Sequence, residues 1–324
     1  MSILKKREEF RPFEYSQAYE FTKAQNNHHW THSQIDVDSD LTQYHTEFTD
    51  AEKHGINTVL KLFTRYELHV GSYWTDVIYK RFPKPEIQMM AQVMGAMEVE
   101  HALFYDKLNQ ALGLDTKEFH LSFLDDPSMK KRDKFIGKML KKGSEGSLED
   151  LAVALATFSM IEGVVLYSSF AFLLSFQQQN KGKLKNVAGT GLAYSVRDEA
   201  LHSDAGSWLF NTLVTEENLN LSKISTKIQK VCTEVYDLEK SIIENIFSKG
   251  SIEGITDRQL KNFVKSRINK KLRDINLEIF EKVSYNPIKK WFYKSINSIE
   301  FSDFFNQNPS SYSNHWNFGK IQKW

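Results

Sequence analysis

The sequence predicts an all-α protein built as a bundle of long helices. The alternation of valine and isoleucine with polar residues that is typical of strands is almost absent from the chain. Apolar side chains instead recur every three or four residues over long stretches, which is the period of an amphipathic helix. The six prolines lie at the edges of these stretches, and 324 residues with 41% hydrophobic composition can bury a sizeable core.

Seven long helices are predicted along the chain. Thr49 and Asp50 are good N-cap residues for the first helix, and Pro85 suits the first turn of the second. The helices are expected from Thr49–Asp50 to before Phe82, from Pro85 to about Gly113, from Lys130 to Lys142, from Gly146 to about Gln179, from Val187 to Leu213, from Ser222 to Ser248, and from Asp257 to Lys282.

These helices are expected to form one domain over residues 1–305, in which residues 1–48 are an N-terminal arm. Residues 306–324 are rich in asparagine and serine and show no periodicity. They are predicted to form a flexible tail.

The composition argues against several classes of protein. The formal net charge is +1, and Lys and Arg are spread along the chain, so nothing indicates binding to nucleic acid or to an anionic membrane. Cys232 is the single cysteine, which rules out an internal disulfide and fits a cytoplasmic protein. The first residues are too charged for a signal peptide.

One segment is long and apolar enough to cross a bilayer. Between Leu151 and Phe176 the only charged side chain is Glu162. A carboxylate at the centre of a membrane span is costly, and no aromatic belt, cationic flank or second span accompanies it. A buried bundle helix is therefore favoured, and no membrane association is expected.

Four of the predicted helices carry a carboxylate in the middle of an otherwise apolar or small-residue stripe. In two of them a histidine follows three residues later, which places both side chains on one helical face. The six residues are Glu67 on the first helix, Glu98 and His101 on the second, Glu162 on the fourth, and Glu199 and His202 on the fifth.

Metal ions explain this pattern. Buried carboxylates must be paired, protonated or metal-bound, and no Lys or Arg lies on these stripes. Two Glu-x-x-His pairs with two single glutamates are the ligand set of ferritin-like di-iron and di-manganese proteins. Oxygen and nitrogen ligands without thiolate favour iron or manganese. The predicted fold is thus a ferritin-like helical bundle with extra helices and a dimetal site in its core.

Three further residues are candidates for roles at the metal site because of where they lie in the sequence. Tyr105 lies one turn after His101 on the same face, so its phenol can approach the metals; the alternative is an ordinary core tyrosine. Asp198 points off the ligand stripe and is either a solvated or capping carboxylate or an acceptor that orients a ligand histidine. Trp30, in the N-terminal arm, could be no more than a packing anchor.

At these residues the sequence resembles the small, radical-generating subunit of class I ribonucleotide reductase. The resemblance runs from about Trp30 to the tail. It rests on three motifs, which read Glu98-Val-Glu-His101-Ala-Leu-Phe-Tyr105, Arg197-Asp198-Glu199-Ala-Leu-His202 and Trp30-Thr-His-Ser-Gln-Ile-Asp-Val-Asp.

The resemblance implies a homodimer that holds two metal ions per chain, iron foremost, with manganese or a mixed pair as alternatives. Dioxygen or a reduced oxygen species would oxidise the metals, in some cases with the help of a flavoprotein activase. The ligands would be Glu67, Glu98 and His101 for one ion, and Glu162, Glu199 and His202 for the other.

The resemblance also implies a path for the oxidising equivalent. A stable radical on Tyr105 would pass through His101, Asp198 and Trp30 to Tyr312 in the tail. From there it would reach a cysteine of the separate large subunit, where ribonucleotides are reduced. The tail would dock on that subunit, with three aromatic residues as its apolar anchors, namely Trp316, Phe318 and Trp324.

The chain departs from the usual family pattern at three places. Many members have Asp where this chain has Glu67, and many carry Phe where it has Leu166. The tail ends in Gly-Lys-Ile-Gln-Lys-Trp and is basic rather than acidic. These features bear on the metal and its activation more than on the fold.

Three rival functions share parts of the pattern. An R2-like ligand-binding oxidase also uses Glu as its first ligand but carries a tyrosine where this chain has Thr157. A carboxylate-bridged di-iron monooxygenase or acyl desaturase would not require Tyr105. Ferritin-type iron storage uses shorter bundles without a tail. The reductase subunit is preferred over all three.

Overall fold

The computed structural model describes residues 2–178 and 182–294, and within them ten helices have ten residues or more. In chain order they are α1 Ser16–Asn27, α2 Asp38–Glu47, α3 Asp50–Ser72, α4 Pro85–Ala111, α5 Pro127–Glu145, α6 Leu148–Met160, α7 Leu166–Gln178, α8 Leu192–Glu216, α9 Leu221–Ile246 and α10 Asp257–Asp274.

The all-α prediction is confirmed. In the described ranges no strand is present, and the only β-type pairing is an isolated bridge between Ile252 and Ile255. Thr49 caps α3 as predicted, because its side chain accepts the backbone N–H of Glu52 while the Glu52 carboxylate accepts that of Thr49.

Three π-helical segments interrupt what the sequence predicted as continuous helices. They are Tyr73–Ile78 after α3, Ile161–Val165 between α6 and α7, and Val187–Gly191 before α8. A π-helical turn holds one extra residue, so the helix is rotated beyond it. Periodicity in the sequence did not reveal these segments, because the apolar residues remain buried on both sides of each one.

The N-terminal arm contains two helices, α1 and α2, that the sequence did not predict. Polar side chains are among the buried residues of both, which weakens the apolar pattern. Contacts to the rest of the chain hold the arm in place. The buried carboxylate of Glu86 accepts hydrogen bonds from Arg7 at 2.7 Å and from the backbone N–H of Tyr15 at 2.9 Å.

The last predicted helix proved shorter than expected. It ends at Asp274 rather than Lys282, because Asn276 adopts φ +57° and closes the helix. The backbone N–H of Asn276 bonds to Arg273 O at 3.0 Å, and that of Leu277 bonds to Leu272 O at 2.8 Å. These two bonds form a Schellman motif, which asparagine supports less often than glycine.

The centre of the bundle is the continuous helical stretch Leu148–Gln178. Among the described residues it is the one stretch long and apolar enough to cross a membrane, yet its apolar window is entirely buried inside the protein. Helix α6 packs against α5, α8 and α9, while α3 packs against α4 and α1 packs against α4 and α8. The stretch is therefore a core helix, as predicted.

Candidate metal centre

Six buried side chains from four helical elements converge in the middle of the bundle. Helix α3 supplies a glutamate, α4 and α8 each supply a Glu-x-x-His pair, and the π-helical segment Ile161–Val165 supplies the last glutamate. All six are at most 1% exposed, and they are Glu67, Glu98, His101, Glu162, Glu199 and His202. The structure thus brings together every ligand candidate that the sequence singled out.

The six residues form two overlapping groups of four, and in each group the potential ligand atoms lie within 4.8 Å of one another. Glu98 and Glu199 belong to both groups, which is the arrangement expected of carboxylates that bridge two ions. The groups are Glu67, Glu98, His101 and Glu199, and Glu98, Glu162, Glu199 and His202.

The histidines sit close to the shared carboxylates. His101 Nδ1 lies 3.0 Å from Glu98 Oε2 and 3.1 Å from Glu199 Oε1. His202 Nδ1 lies 2.6 Å from Glu98 Oε1. The ring nitrogens that would bind metal therefore point into the same space as the carboxylate oxygens.

The donor set fits divalent cations. Both oxygens of Glu67 and Oε2 of Glu162 are buried without a hydrogen-bond partner. Among the described residues, none of the four glutamates forms an ion pair with Lys or Arg. Unpaired buried carboxylates are strongly unfavourable, and two ions bound by oxygen and nitrogen would satisfy them.

Burial and mutual repulsion raise the pKa of three of the four glutamates, so the metal-free cluster favours protonated carboxyl groups. Burial, and then the charge of Glu199, raises the pKa of Glu67 and of Glu162 well above its usual range. Burial and then Glu98 raise the pKa of Glu199 to about 7. Burial would also raise that of Glu98, but His202 and His101 outweigh it and hold the pKa at about 2. The metal-free cluster therefore holds protons that ions would displace.

Each histidine of the cluster has a partner for its Nε2 atom, on the side away from the shared carboxylates. His101 Nε2 lies 3.2 Å from Asp198 Oδ2, and His202 Nε2 lies 2.9 Å from Gln25 Oε1. Such partners fix the ring and the tautomer of a ligand histidine. Gln25 was missed at the sequence level, because it lies on the unpredicted helix α1 and no motif marks it.

Glu162 also has an outer partner. Trp74 donates its indole N–H to Glu162 Oε1 at 3.0 Å. Trp74 lies seven residues after Glu67, which is helical spacing, but nothing else in the sequence distinguishes it from an ordinary core residue.

Asp198 connects His101 of the cluster to Trp30. Trp30 Nε1 donates to Asp198 Oδ2 at 2.7 Å, the same oxygen that faces His101. The indole also stacks on the His101 ring, with centroids 5.7 Å apart and an interplanar angle of 24°. Trp30 is 2% exposed and Asp198 fully buried, so a continuous chain of polar contacts runs from the centre to the N-terminal arm.

Tyr105 lies in an aromatic pocket beside the ligands. It is fully buried, stacks on Phe63 with centroids 4.3 Å apart, and contacts Phe104 at 5.0 Å. Burial, and then the charge of Glu67, raises the pKa of its phenol well above the ordinary value. Its hydroxyl has no well-formed hydrogen bond.

The remaining predicted site residue, Tyr312, lies outside the described residues, as do the tail anchors Trp316, Phe318 and Trp324. Leu166 and Thr157, which distinguish the chain from related patterns, are both fully buried. Thr157 uses its hydroxyl within its own helix, bonding to Val153 O at 2.7 Å.

The comparison with known proteins decides the family. The family model described as "Ribonucleotide reductase, small chain" matches residues 7–287. The chain belongs to the ribonucleotide reductase small chain family. As a small chain it is part of a ribonucleoside-diphosphate reductase, an oxidoreductase that also requires a large chain.

Curated relatives agree. A probable ribonucleoside-diphosphate reductase small subunit of Invertebrate iridescent virus 3 is 27% identical, covering 97% of this chain and 86% of that protein. The ribonucleoside-diphosphate reductase subunit beta of Chlamydia pneumoniae is 23% identical, covering 93% of this chain and 88% of that protein.

Solved structures confirm the ferritin-like bundle of this small chain. The ribonucleotide reductase R2 subunit of Clostridium botulinum superposes with a TM-score of 0.79 at 18% identity, covering 91% of this chain and 94% of that one. Streptococcus sanguinis dimanganese(II)-NrdF gives 0.74 at 18% identity, covering 90% and 99%. Family and ligand cluster together support two metal ions per chain.

Proposed function

We propose that this small chain generates and stores a radical on Tyr105 and passes it to the large chain, where ribonucleotides are reduced. The observation that carries the proposal is the unbroken contact path from the ligand His101 through Asp198 to Trp30. A core that only stored metal would not need a buried carboxylate bridging a ligand histidine and an indole.

Two ions would be held by the six ligands, with Glu98 and Glu199 shared between them. When bound, oxidised iron or manganese would supply the oxidising equivalent that removes one electron from Tyr105. We favour iron, with manganese or a mixed pair as alternatives; the similar Streptococcus sanguinis protein is a dimanganese(II) form. A flavoprotein activase is an alternative to direct activation by dioxygen.

Tyr105 must lose its proton together with its electron. Burial and the charge of Glu67 raise the pKa of the phenol and keep it protonated at neutral pH, so no phenolate is available for oxidation. Glu67 is the carboxylate with the largest influence on this phenol. Bound metal would displace the proton that its raised pKa retains, and we propose the resulting carboxylate as the proton acceptor. The packed rings of Phe63 and Phe104 exclude water, which would protect the resulting radical.

Asp198 would hold His101 and Trp30 in fixed positions along the proposed path. It is fully buried, and although burial alone would raise its pKa, the hydrogen bond from His101 outweighs this and holds the pKa below the usual value. The carboxylate therefore stays ionised and accepts from both His101 and Trp30. An electron moving from Trp30 toward His101 leaves the indole N–H proton facing a carboxylate that can share it.

The last part of the path would lie in the tail. We propose Tyr312 as the relay to the large chain, and Trp316, Phe318 and Trp324 as docking anchors. The cytoplasm, where the substrate nucleotides are found, is the proposed location.

A homodimer is proposed through helices α3 and α4. Large apolar side chains are exposed on these two packed helices: Leu68 is 61% exposed, Val99 49% and Leu103 39%. Exposed apolar side chains of this size mark contact surfaces when they lie together. Sedimentation of the purified protein should give a dimer, and Val99→Glu with Leu103→Glu should shift it to monomer while the six metal ligands remain intact.

Electron paramagnetic resonance tests the central claim. Metal-loaded protein exposed to oxidant should show a tyrosyl radical signal, and Tyr105→Phe should lose it while still binding two ions. Tyr73→Phe, which removes another buried phenol, is the control and should leave the signal unchanged. An undiminished signal in Tyr105→Phe would refute the assignment.

A further inference from the structure

We propose that Trp74 is a positioning residue that holds Glu162 as a one-oxygen ligand, so that only Oε2 is available to metal. The inference rests on the proposed dimetal centre and adds a residue that the six-ligand set does not include. Trp74 contacts Glu162 and His202, which belong to the same candidate metal position.

The hydrogen bond assigns different tasks to the two oxygens of Glu162. Trp74 Nε1 donates to Oε1 at 3.0 Å, whereas Oε2 has no partner. Both residues are fully buried, so neither group can turn to water instead. An indole N–H only donates and does not titrate, so the bond persists in every protonation state of the cluster.

The Trp74 ring is held firmly enough to act as a fixed donor. It meets the His202 ring edge-on, with centroids 5.6 Å apart, and the Tyr73 ring at 5.1 Å. Tyr73 in turn stacks on Phe158 with centroids 4.1 Å apart and an interplanar angle of 5°. A donor packed in this way cannot follow a carboxylate that swings away.

Both partners project from π-helical segments. Trp74 belongs to Tyr73–Ile78 and Glu162 to Ile161–Val165. Local π-helical turns are frequent at functional sites, because they re-aim a side chain that a regular helix would place elsewhere. The Trp74–Glu162 hydrogen bond joins two such segments, and both side chains are directed at one candidate metal position.

Within residues 2–178 and 182–294, no comparable donor restrains the single glutamate of the other metal position. Neither oxygen of Glu67 accepts a hydrogen bond from an indole or another neutral donor in the described part of the chain, so this carboxylate is free to bind with one oxygen or with both. Glu67 and Glu162, which each belong to only one of the two groups, therefore differ: Trp74 restrains the Glu162 carboxylate, and no such donor restrains that of Glu67.

The test compares Trp74→Phe with Trp208→Phe. Phenylalanine at 74 keeps an aromatic ring against His202 but removes the N–H donor. Trp208 packs against Tyr15 and Phe21, away from the ligands, and controls for the loss of an indole. Anaerobic titration with Mn²⁺ measures both binding steps, and a crystal structure of the Mn²⁺-loaded protein shows how Glu162 binds.

We expect Trp74→Phe to weaken the binding of one ion by about 10–100-fold and the other by less than about threefold, as for loss of an outer-shell partner. Glu162 should then bind Mn²⁺ through both oxygens, and Trp208→Phe should behave like the wild type. Unchanged affinities in Trp74→Phe, or equal weakening of both ions, would overturn the inference.

The wild-type crystal structure provides a check that needs no variant. If Glu162 binds Mn²⁺ through both oxygens in the wild type, the inference is wrong, whether or not Trp74 still contacts it. If the wild type does not bind two ions at all, the dimetal centre itself fails, so the two failures are distinguishable.

Discussion

Replacing Asp198 by asparagine should separate storage of the radical from its transfer. The carboxylate accepts from Trp30 at 2.7 Å and from His101 at 3.2 Å, both on Oδ2, while Oδ1 lies 3.8 Å from Arg197 Nε. An amide oxygen can take the place of Oδ2, but the NH₂ group then faces the Arg197 guanidinium. The substitution therefore keeps the shape of the side chain and removes its charge. It also places the amide NH₂ against the N–H groups of Arg197, so that two hydrogen-bond donors face each other.

The energetic cost follows from these contacts. Charge-assisted hydrogen bonds are about twice as strong as neutral ones, so each of the two bonds loses about 1 kcal/mol. We expect Asp198→Asn to lower the free energy of unfolding of the metal-free protein by about 2 kcal/mol, measured by urea denaturation. Asp237→Asn, an exposed change on α9, should alter it by less than about 0.5 kcal/mol.

The functional cost should appear in one assay and not in another. The six ligands and Tyr105 are untouched, so metal-loaded Asp198→Asn should still give the tyrosyl radical signal. Ribonucleotide reduction with the large chain should fall by about 10–100-fold or more, because His101 and Trp30 lose their charged link. Near wild-type reduction by this variant, with the radical signal intact, would refute the proposed path.

Three further predictions concern the cluster, the π-helical segment and the tail. Glu199 keeps its proton up to about pH 7 when folded but only to about pH 4.3 when unfolded, so the stability of the metal-free protein should fall by on the order of 3 kcal/mol between these pH values. Thermal unfolding across pH should show this fall, and saturating Mn²⁺ should remove it. Gly163→Ala should cost about 1–3 kcal/mol in denaturation, since its Cβ would clash with Ser203 Oγ, whereas Gly137→Ala, with open space around it, should be neutral or stabilising. Deleting residues 306–324 should abolish reduction with the large chain but leave metal binding unchanged by calorimetry; activity retained at the wild-type level would contradict the docking role.

The convergence of the four glutamates and two histidines could be predicted because the signal for it is local in the sequence. A glutamate amid apolar residues on a helix has few physical explanations, and Glu-x-x-His fixes two side chains on one face. The long helices were equally predictable from the sequence, since the Thr49 cap and Pro85 in the first turn are local signals. Each of these signals lies within one or two helical turns of the sequence, so it can be recognised without knowing the tertiary contacts.

The parts that could not be predicted depend on contacts between distant residues. Gln25 acquires its role only because α1 packs beside His202, 177 positions away in the chain. Trp74 is indistinguishable from a core residue until the structure places Glu162 against its N–H. The end of α10 was overestimated because Asn276, rather than glycine, takes the left-handed conformation.

The π-helical turn at Glu162 has a consequence for variation in this chain. A turn with one extra residue is, in effect, a tolerated insertion, and removing that residue would let α6 and α7 join as one regular helix. Such a deletion within Ile161–Val165 would rotate every downstream side chain by about 100° and carry Glu162 away from its partners. A chain shortened at this point should therefore lose the metal pair while keeping the bundle, even with all six candidate ligands still present in its sequence.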